Sequence, residues 1–367
     1  MRIERVESRA VFVPLDVPVA FSTREITGRW YTLVRVLADG LEGIGFCLGS
    51  LVVSTAVRTW LKPLLEGQDP FATEWLWDRM YRQTLLEGRR GAVLRAISAV
   101  DIALWDLKGK ATGLPLYRLL GGNRSPVPAY ASGGYYAKGK SPAKLAEEAA
   151  GYVAQGFSAV KIKVGREREI KQEVARVAAV REAIGPDVQL FLDANNAWPD
   201  APTAIRYIRA FEPYDIGWIE EPVMPDNLVQ SVAVATSITI PVATGEIEAT
   251  RWGFRAIIEA RAAQILQPDA AVCGGVTEWL RIAALAAAFD LQIAPHWFSD
   301  LHCHLVAAAP NATWVEYFTD TSILNIWRLV REPVVARDGR ILPPDRPGHG
   351  IDLDPAAVER FAQERWA

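Results

Sequence analysis

Eight charged side chains lie in or at the ends of seven successive short apolar stretches of this 367-residue chain. They are Lys161, Lys163, Asp193, Glu220, Glu246, Asp269, His296 and Glu316. A single carboxylate at the end of a strand is commonly a helix N-cap or a solvated loop residue. Charges at seven strand ends in a row, each preceded by apolar residues, instead indicate that these side chains converge on one site.

Three of the carboxylates, Asp193, Glu220 and Glu246, come from three adjacent stretches. Anionic oxygens that converge without a cation repel one another. A hard divalent ion such as Mg²⁺ needs oxygen ligands and keeps positions open for water or substrate. The three residues therefore predict a metal site.

Two of these assignments are choices between neighbouring residues. Glu220 is preferred to Glu221 because successive residues of a strand point to opposite faces. Glu246 is preferred to Glu248 because it lies nearer to the strand. Asn195 follows the first carboxylate of the triad by two residues, so it is predicted to share that face as a substrate contact or an outer ligand.

Two lysines, Lys161 and Lys163, share one face of the stretch "SAVKIKVG" (158–165), because residues two apart in a strand point the same way. Its β-branched apolar flanks favour a buried strand over a solvated one. Two ammonium groups this close disfavour each other's protonation, and burial acts in the same direction, so both pKa values are expected to be lowered. The pair therefore predicts a general base that works at neutral pH.

A second acid or base is predicted at His296, which closes the stretch "QIAPH". Asp269, at the end of the preceding stretch, is placed to orient the imidazole and to raise its basicity. The sequence thus supplies two proton-transfer groups, which approach the predicted metal site from different strands.

The elements that must position these residues alternate between short apolar strands and amphipathic helices. Candidate strands occupy 127–133, 159–165, 188–195, 216–222, 240–246, 263–269, 291–297 and 312–318. Eight strands that alternate with helices over roughly 200 residues favour a parallel (β/α) barrel, whose C-terminal strand ends face one mouth. The charged residues would meet at that mouth.

The chain changes character near residue 125. Residues 1–125 read as an α+β domain with a hairpin turn at Asp39-Gly40. Residues 126–325 form the predicted barrel, and residues 326–367 are predicted to pack back on the N-terminal domain.

Composition excludes several classes of protein. A formal net charge of -3 provides no general attraction to nucleic acid or to an anionic membrane. No stretch approaches the length of a membrane span, and the N-terminus lacks the apolar core of a signal peptide. The three cysteines are far apart and form no metal-type pair, which suits a reducing cytosol. We therefore expect a cytoplasmic protein that binds neither nucleic acid nor membrane.

The order of short motifs resembles the enolase superfamily, and within it the mandelate racemase subgroup. The resemblance spans nearly the whole chain. It includes the N-terminal stretch "AISAVDIALWDLKGKATGLPLYRLLGG", and then "KIK", "DAN", "EEP", "GE", "QPD" and "PH" in order along the barrel. Each motif is weak alone, but their order and spacing together are specific.

This resemblance implies a fold and a set of roles. The fold would be a modified TIM barrel, (β/α)7β, with an α+β capping domain built from the N-terminal segment and the C-terminal tail. Mg²⁺ would be held by the carboxylate triad, Lys163 would be the base on one face of a small-molecule carboxylate substrate, and Lys161 would tune it. The dyad of Asp269 and His296 would serve the other face, and Glu316 would hydrogen-bond the substrate carboxylate. A homo-oligomer, from dimer to octamer, is also implied.

Two segments, 17–30 and 46–54, are placed by the resemblance as substrate-covering loops. Arg24 and Arg29 in the first are candidates to meet a distal carboxylate, which mildly favours a dicarboxylic sugar acid. Tyr136 lies just past the first barrel strand and is a further candidate contact. Trp297, beside His296, is expected to narrow the pocket.

The expected chemistry is removal of the proton next to a carboxylate, which gives an enediolate. Loss of a β-hydroxyl would then yield a 2-keto-3-deoxy acid, and the resemblance favours this outcome, an acid-sugar dehydratase acting on a mono- or dicarboxylic sugar acid. Reprotonation on the opposite face would give a racemase or epimerase. Opening or closing a sugar-acid lactone is a third outcome of the same intermediate.

Three other classes remain as alternatives. A metal-dependent hydrolase barrel would use a His-x-His pair, which His302 and His304 in "HCHL" provide, but such a pair belongs on the first strand. A Schiff-base aldolase would need a lone lysine without a carboxylate triad. A non-catalytic binding barrel would have lost one of the seven polar positions, and none is missing.

Overall fold

The fold is described from a computed structural model that covers residues 1–320 and 323–367. Its strands are β1 (Arg5–Phe21), β2 (Arg24–Ala38), β3 (Leu41–Leu48), β4 (Val127–Ser132), β5 (Ala159–Lys163), β6 (Gln189–Asp193), β7 (Ile216–Glu220), β8 (Val242–Thr244), β9 (Ile265–Leu266), β10 (Gln292–Ile293), β11 (Val315–Tyr317) and β12 (Arg340–Ile341). Its α-helices are α1 (Leu51–Ala56), α2 (Lys62–Leu65), α3 (Thr73–Gln83), α4 (Ala92–Thr112), α5 (Leu116–Leu119), α6 (Pro142–Ala154), α7 (Ile170–Ile184), α8 (Ala201–Phe211), α9 (Leu228–Ser237), α10 (Thr250–Ala260), α11 (Ala270–Cys273), α12 (Gly275–Ala287), α13 (Ser299–Val306) and α14 (Pro355–Phe361). A π-helical turn at Val57–Leu61 joins α1 to α2, and 3₁₀ turns occupy Glu212–Tyr214 and Asn325–Leu329.

The N-terminal part contains a three-stranded antiparallel sheet in the order β1-β2-β3. The predicted turn at Asp39-Gly40 joins β2 to β3, and both residues have positive φ, as a type I′ hairpin turn requires. The segment 17–30, predicted as a loop, is instead a hairpin whose arms are paired up to Phe21 and Arg24. Its alternating apolar residues, which the sequence analysis did not use, explain why it pairs.

Close packing joins this sheet to helix α4. A Cβ added at Gly45 of β3 would stand 1.8 Å from the carbonyl oxygen of Ala99 in α4, so only glycine lets the two backbones approach this closely.

Substitution of Gly45 by alanine is therefore expected to destabilise the protein by about 3 kcal/mol, because the overpacked helix must move away. The urea midpoint of unfolding measures this effect. Gly151→Ala is the matched control, since Gly151 lies within α6 with open space around it and alanine there should stabilise by about 1 kcal/mol. Equal midpoints for the two variants would contradict this packing argument.

The rest of the fold is a parallel barrel, and each of the eight candidate strands contains an observed strand. The hydrogen-bonded order is β10-β9-β8-β7-β6-β5-β4-β11, and the ring closes where Ile293 exchanges backbone hydrogen bonds with Asn311 and Thr313 beside β11. An α-helix follows each strand from β4 to β10, whereas a 3₁₀ turn comes after β11 in the described residues. The (β/α)7β prediction is confirmed.

A layer of aromatic rings fills the interior of the barrel below its mouth. Phe191 and Trp218 stack with their centroids 3.4 Å apart, and Tyr130 meets both rings edge-on. Phe191 and Trp218 share a face with the charged ends of their own strands, because they precede Asp193 and Glu220, respectively, by two residues. The layer forms an apolar floor that keeps the charged groups at the mouth.

Buried polar contacts fix the N-terminal part to the barrel. The Asp101 carboxylate of α4 accepts hydrogen bonds from the backbone N–H and the hydroxyl of Thr277 at 2.9 and 2.6 Å. The indole of Trp105 donates to the same hydroxyl, and that of Trp77 donates to the Gly274 carbonyl. Helix α4 is therefore held rigidly over the barrel mouth.

The C-terminal segment touches both parts of the molecule. Strand β12 pairs antiparallel with β4, while the last residues bond to β1 through Gln363 N–H to Ala10 and Ala367 N–H to Ser8. None of the described helices, the 21-residue α4 included, combines the length and apolarity needed to cross a membrane.

Candidate active site

Three carboxylates meet at the C-terminal ends of neighbouring barrel strands. Oxygen atoms of Asp193, Glu220 and Glu246 all lie within 4.8 Å of one another. Strand register produces this meeting, because Asp193 pairs with Glu220 across β6 and β7, and Glu246 follows β8 by two residues. The structure thus brings together the residues of the predicted metal site.

Both lysines of β5 point at this cluster. The ammonium group of Lys161 donates to the two carboxylate oxygens of Glu220 at 2.9 and 2.8 Å and lies 2.9 Å from Glu316 Oε1. The ammonium group of Lys163 forms an ion pair with Asp193, its partner in register. All of these side chains are buried, so these charges are screened little by solvent.

The expectation of lowered lysine pKa values is wrong for this arrangement. Burial favours the neutral amine, but Glu220 and Glu316 outweigh it and raise the pKa of Lys161 well above its ordinary value. Asp193 likewise raises the pKa of Lys163. The sequence argument weighed the two ammonium groups against each other and omitted the carboxylates beside them. A divalent cation at the triad would compete with both lysines for the same oxygens.

The triad fits a hard divalent cation. Burial, and then the repulsion of the neighbouring Glu221, Asp193 and Glu220 carboxylates, raise the pKa of Glu246 well above its ordinary value. The oxygen atoms Asn195 Oδ1 and Glu221 Oε1 are buried nearby, and neither has a hydrogen-bond partner among the residues that the structure describes. Crowded carboxylates with spare oxygens are the donor set that Mg²⁺ prefers.

Glu221 lies closer to this cluster than strand alternation suggested. Its φ of 42° turns the backbone into the left-handed region directly after β7, and its side chain is buried. Asn196 donates to Glu221 Oε2 at 2.9 Å. Burial, Asp193 and Glu220 raise the pKa of Glu221 to about 8. By contrast, Glu248 turns away and pairs with Arg90.

The histidine and aspartate of the predicted dyad are in contact. His296 Nδ1 lies 3.0 Å from Asp269 Oδ2, and the other ring nitrogen, Nε2, lies 3.4 Å from Glu246 Oε2. Asp269 also caps helix α11, because its Oδ1 accepts the N–H of Ala271. The carboxylate therefore holds the imidazole with Nε2 directed at the acidic cluster.

Glu316 joins the two sides of the site. It lies in β11, where one carboxylate oxygen meets Lys161 and the other accepts the N–H of Trp297 at 2.9 Å. Burial alone would raise its pKa, but Lys161, His296 and Lys163 lower the pKa of Glu316 to about 2. The group is therefore a permanent anion at neutral pH.

A cavity of about 160 Å³ separates these groups from the N-terminal part. Its barrel side includes Lys163, Asn195, Glu246, His296 and Trp297. Its opposite side includes Phe21, Arg24, Arg29, Leu48 and Arg95, while Tyr135, from the loop after β4, completes the barrel side. Both segments predicted to cover the substrate, 17–30 and 46–54, therefore contribute to the cavity wall.

Three guanidinium groups line this cavity from the capping side. Arg29 stacks 4.2 Å over the Trp297 ring and donates through Nε to the Ile323 carbonyl. Arg95 donates through Nη1 to the Leu48 carbonyl, and Arg24 is exposed at the hairpin tip. Across residues 1–320 and 323–367, no carboxylate forms an ion pair with any of the three.

One candidate contact, Tyr136, lies elsewhere. Its hydroxyl donates to the buried Glu173 carboxylate at 2.7 Å, on the far side of the loop from the cavity. The preceding residue, Tyr135, faces the cavity instead, with its ring 5.1 Å from Lys163 Nζ. Because these residues follow the end of β4, alternation along the strand did not predict which tyrosine turns inward.

Sequence reasoning did not assign two further residues that touch or face the site. Gln267 donates to Glu220 Oε2 at 2.7 Å, and Arg95 reaches the cavity from α4. Gln267 could have been found from the sequence, because it stands two residues before Asp269 in the "QPD" motif. No sequence signal marks Arg95, because it stands in an ordinary amphipathic helix.

Comparison with known proteins shows similarity over almost the full chain. Residues 144–357 match the family described as "Enolase C-terminal domain-like", and residues 4–121 match "Mandelate racemase / muconate lactonizing enzyme, N-terminal domain". Arabinonate dehydratase of Saccharolobus solfataricus is 36% identical over 334 residues, which cover 88% of each protein. The 3,6-anhydro-alpha-L-galactonate cycloisomerase of Streptomyces coelicolor is 36% identical over 366 residues, 98% of this chain and 99% of that protein.

Solved structures give the same result. A racemase from Streptomyces coelicolor A3(2), crystallised with bound magnesium, has a TM-score of 0.92 and 36% identity and covers 98% of this chain and 99% of its own. L-Talarate dehydratase from a Polaromonas species, complexed with Mg and L-glucarate, has a TM-score of 0.88 and 35% identity. The match covers 100% of this chain and 99% of that one.

Proposed function

The chain belongs to the mandelate racemase / muconate lactonizing enzyme family of the enolase superfamily, and we propose that it dehydrates a sugar acid to a 2-keto-3-deoxy acid. It is an enzyme of the sugar-acid dehydratase or isomerase type, and its cofactor is Mg²⁺. The specific proposal is that the reaction is a dehydration, and the geometry of the two proton-transfer groups supports it.

The observation that carries the proposal is the placement of Lys163 and His296 around one carboxylate cluster. Lys163 stands at the end of β5 beside Asp193, whereas His296 follows β10 and approaches Glu246. In the strand order, β5 and β10 are separated by five steps in one direction and three in the other, which places the two groups on different sides of the mouth. A substrate held between them meets a base on one face and an acid on the other.

In the first step, Lys163 takes the α-proton of the bound sugar acid as the neutral amine, the form in which its Nζ no longer forms an ion pair with Asp193. The charge that develops on the substrate carboxylate in the enediolate lies near the ammonium group of Lys161, which stabilises it electrostatically. Glu316 stays an anion, accepts a hydrogen bond from a substrate hydroxyl, and keeps Lys161 and the Trp297 N–H in place.

In the second step, the β-hydroxyl leaves as water and takes a proton from His296. Asp269 holds Nδ1 of the ring, so the proton to be donated is carried on Nε2, the nitrogen that faces the cluster. The ion pair with Asp269 stabilises the protonated imidazole before the transfer. Elimination therefore uses both groups once and gives the enol, which tautomerises to the 2-keto-3-deoxy acid. Exchange with solvent then returns Lys163 to the amine and His296 to its protonated form.

The metal site is assigned to Asp193, Glu220 and Glu246, with Asn195 beside them. When bound there, Mg²⁺ supplies Lewis-acid stabilisation of the negative charge that develops on the substrate carboxylate. Gln267 holds one oxygen of Glu220 and the backbone N–H of Asn195 holds Oδ1 of Asp193, so the ligands are already oriented in the protein alone.

A lactone cycloisomerase is the second candidate function. It is supported by the similarity to the cycloisomerase of Streptomyces coelicolor over 98% of this chain. In that reaction the same enediolate would lose an internal oxygen substituent instead of a free hydroxyl. A racemase would use the two bases on opposite faces of one α-carbon. Keto-acid formation from an open-chain sugar acid separates the dehydratase from both.

The capping side of the cavity supports a dicarboxylic substrate. Arg29 and Arg95 each use one guanidinium nitrogen on a backbone carbonyl and keep other N–H groups for a ligand, and Arg24 stands at the entrance. A second carboxylate at the distal end of the substrate would neutralise this positive charge, and its two oxygens match the guanidinium fork. Trp297 positions Arg29 by stacking and bounds the pocket on the barrel side.

Substitution of Arg95 by glutamine is expected to lower kcat/KM for a hexarate ~10- to 100-fold, because a hydrogen bond to a charged group contributes about 1.5–3 kcal/mol. For the matched hexonate, which carries a primary alcohol at the distal carbon, kcat/KM should fall by less than about threefold. Arg79→Gln is the control, since Arg79 stacks on Trp75 away from the cavity. Equal losses for the two substrates would contradict the distal-carboxylate assignment.

The proposed reaction is tested by incubating the protein with Mg²⁺ and a panel of mono- and dicarboxylic sugar acids and detecting 2-keto acid as its semicarbazone. Formation of keto acid from at least one diastereomer, lost on addition of EDTA, is the expected result. Keto acid formed from a lactone or anhydro sugar acid, with none formed from any open-chain acid, would establish the cycloisomerase instead.

A further inference from the structure

His302, in the "HCHL" motif of α13, is a buried histidine that the proposed mechanism leaves unused. Both of its ring nitrogens are bonded to backbone. Nδ1 donates to the Trp297 carbonyl at 2.8 Å, and Nε2 accepts the N–H of Ala270 at 3.1 Å. These two bonds require the neutral ring with its proton on Nδ1, and burial lowers the pKa of His302, which favours that form.

The two backbone groups held by His302 follow the two members of the dyad. Trp297 comes directly after His296, and Ala270 comes directly after Asp269. The imidazole of His302 therefore spans the gap between two chain segments that share no strand ladder beyond the short pairing of β9 with β10. Its Nε2 also lies 3.8 Å from Asp269 Oδ1.

The segment after His296 needs such a restraint. Trp297 and Phe298 have φ values of 61° and 26°, a left-handed conformation that is strained for residues other than glycine. Two contacts hold the Trp297 peptide groups in this turn: Glu316 accepts the N–H, and His302 donates to the carbonyl. The direction of the turn decides where the His296 ring points.

We propose that His302 is a positioning residue that clamps the turn after His296 to the start of α11, so that the dyad keeps the geometry needed to protonate the leaving group. This inference rests on the proposed function, because it assigns His296 to the elimination step and Lys163 to α-proton removal. Loss of the clamp should then impair elimination selectively, while Lys163, which lies on β5, continues to exchange the α-proton.

His304 is a matched control on the same helix. It is fully buried and bonds two backbone groups, with Nδ1 accepting the Tyr117 N–H and Nε2 donating to the His349 carbonyl. Burial lowers its pKa to about 3, so it is neutral as well. Neither of these backbone groups adjoins the dyad, so His304 differs from His302 chiefly in the backbone segments that it joins.

The experiment incubates the Mg²⁺-loaded protein with a substrate from the panel in D₂O and follows two signals by NMR. The first is deuterium at the α-carbon of unreacted substrate, and the second is keto acid. In the His302→Leu variant the ratio of exchange to elimination should rise ~10-fold or more, because a misplacement of about 1 Å at a reacting group has a large effect on its rate. His302→Asn, which keeps a donor near Nδ1, should give a ratio between those of His302→Leu and the wild-type protein. His304→Gln should keep the wild-type ratio.

The ratio is independent of how much of each variant folds, since both signals come from the same molecules. A parallel fall of exchange and elimination in His302→Leu, or an equal rise of the ratio in His304→Gln, would overturn the positioning role. Absence of both signals in the wild-type protein across the whole panel would instead remove the proposed function, so the two failures are distinct.

Discussion

The Lys163→Ala variant is expected to lose α-proton exchange and keto-acid formation together, with kcat lower by ~10³- to 10⁴-fold. Lys163 stands at the end of β5, in register with Asp193, and its ammonium group lies on the edge of the cavity. Alanine removes the only group assigned to take the proton from that face. The fold should persist, because the change removes an ammonium group from the mouth and leaves the aromatic floor of the barrel intact.

Solvent exchange followed by NMR is the measurement, because it reports proton removal even where elimination is slow. Lys138→Ala is the control, since Lys138 is exposed in the loop after β4 and does not line the cavity. His296→Asn provides a contrast, because it should reduce keto-acid formation while leaving exchange by Lys163. Exchange at the wild-type rate in Lys163→Ala would mean that another group is the base on that face.

The Glu246→Gln variant is expected to lose both turnover and the stabilisation that Mg²⁺ confers. A ligand that binds only the folded state at 100 times its Kd adds about 2.7 kcal/mol of stability, so MgCl₂ should raise the Tm of the wild-type protein and leave that of the variant unchanged. Without metal, the variant should be at least as stable as the wild-type protein, because the half-buried Glu246 carboxylate is repelled by the Asp193, Glu220 and Glu221 carboxylates.

Glu248→Gln is the matched control for this experiment. Glu248 is two residues away in the same loop but pairs with Arg90 and does not belong to the triad. Its substitution should keep the rise in Tm with MgCl₂ and most of the activity. The reverse pattern, in which MgCl₂ raises the Tm of Glu246→Gln but not that of Glu248→Gln, would show that the third ligand is Glu248 and not Glu246.

The barrel and its charged mouth were predictable because their signals are local. Seven of the eight barrel strands show as short, largely apolar runs with a charge in or at the end of the run, and parallel strands in a barrel bring those ends to one mouth. The meeting of Asp193, Glu220 and Glu246 follows from that rule without any knowledge of helix packing. The hairpin at Asp39-Gly40 was equally local, because its turn chemistry is specific.

Other features depend on distant contacts and were not predictable. The lysine pKa values are raised by Glu220, Glu316 and Asp193, which lie on other strands. The distances between these side chains cannot be read from the sequence. The inward turn of Tyr135 in place of Tyr136 depends on backbone beyond a strand end, where alternation no longer holds.

The capping residues were the least accessible to sequence reasoning. Arg95 reaches the cavity only because α4 is fixed over the mouth by Asp101 and Thr277. His302 was visible as half of a His-x-His pair and suggested a hydrolase, whereas the structure places both histidines of the pair on a helix and bonds them to backbone. A motif identified by residue type alone did not reveal which partners those residues have.

Proton exchange at the α-carbon of a sugar acid is the most informative single measurement on this protein. The purified wild-type protein with Mg²⁺ should replace the α-proton by deuterium in D₂O, and convert the same acid to its 2-keto-3-deoxy product, for at least one member of a panel of hexarates and hexonates. EDTA should abolish both signals. Keto-acid formation that continues in EDTA and in Lys163→Ala, or a complete absence of exchange and product across the panel with folded, Mg²⁺-stabilised protein, would contradict enediolate chemistry at this site.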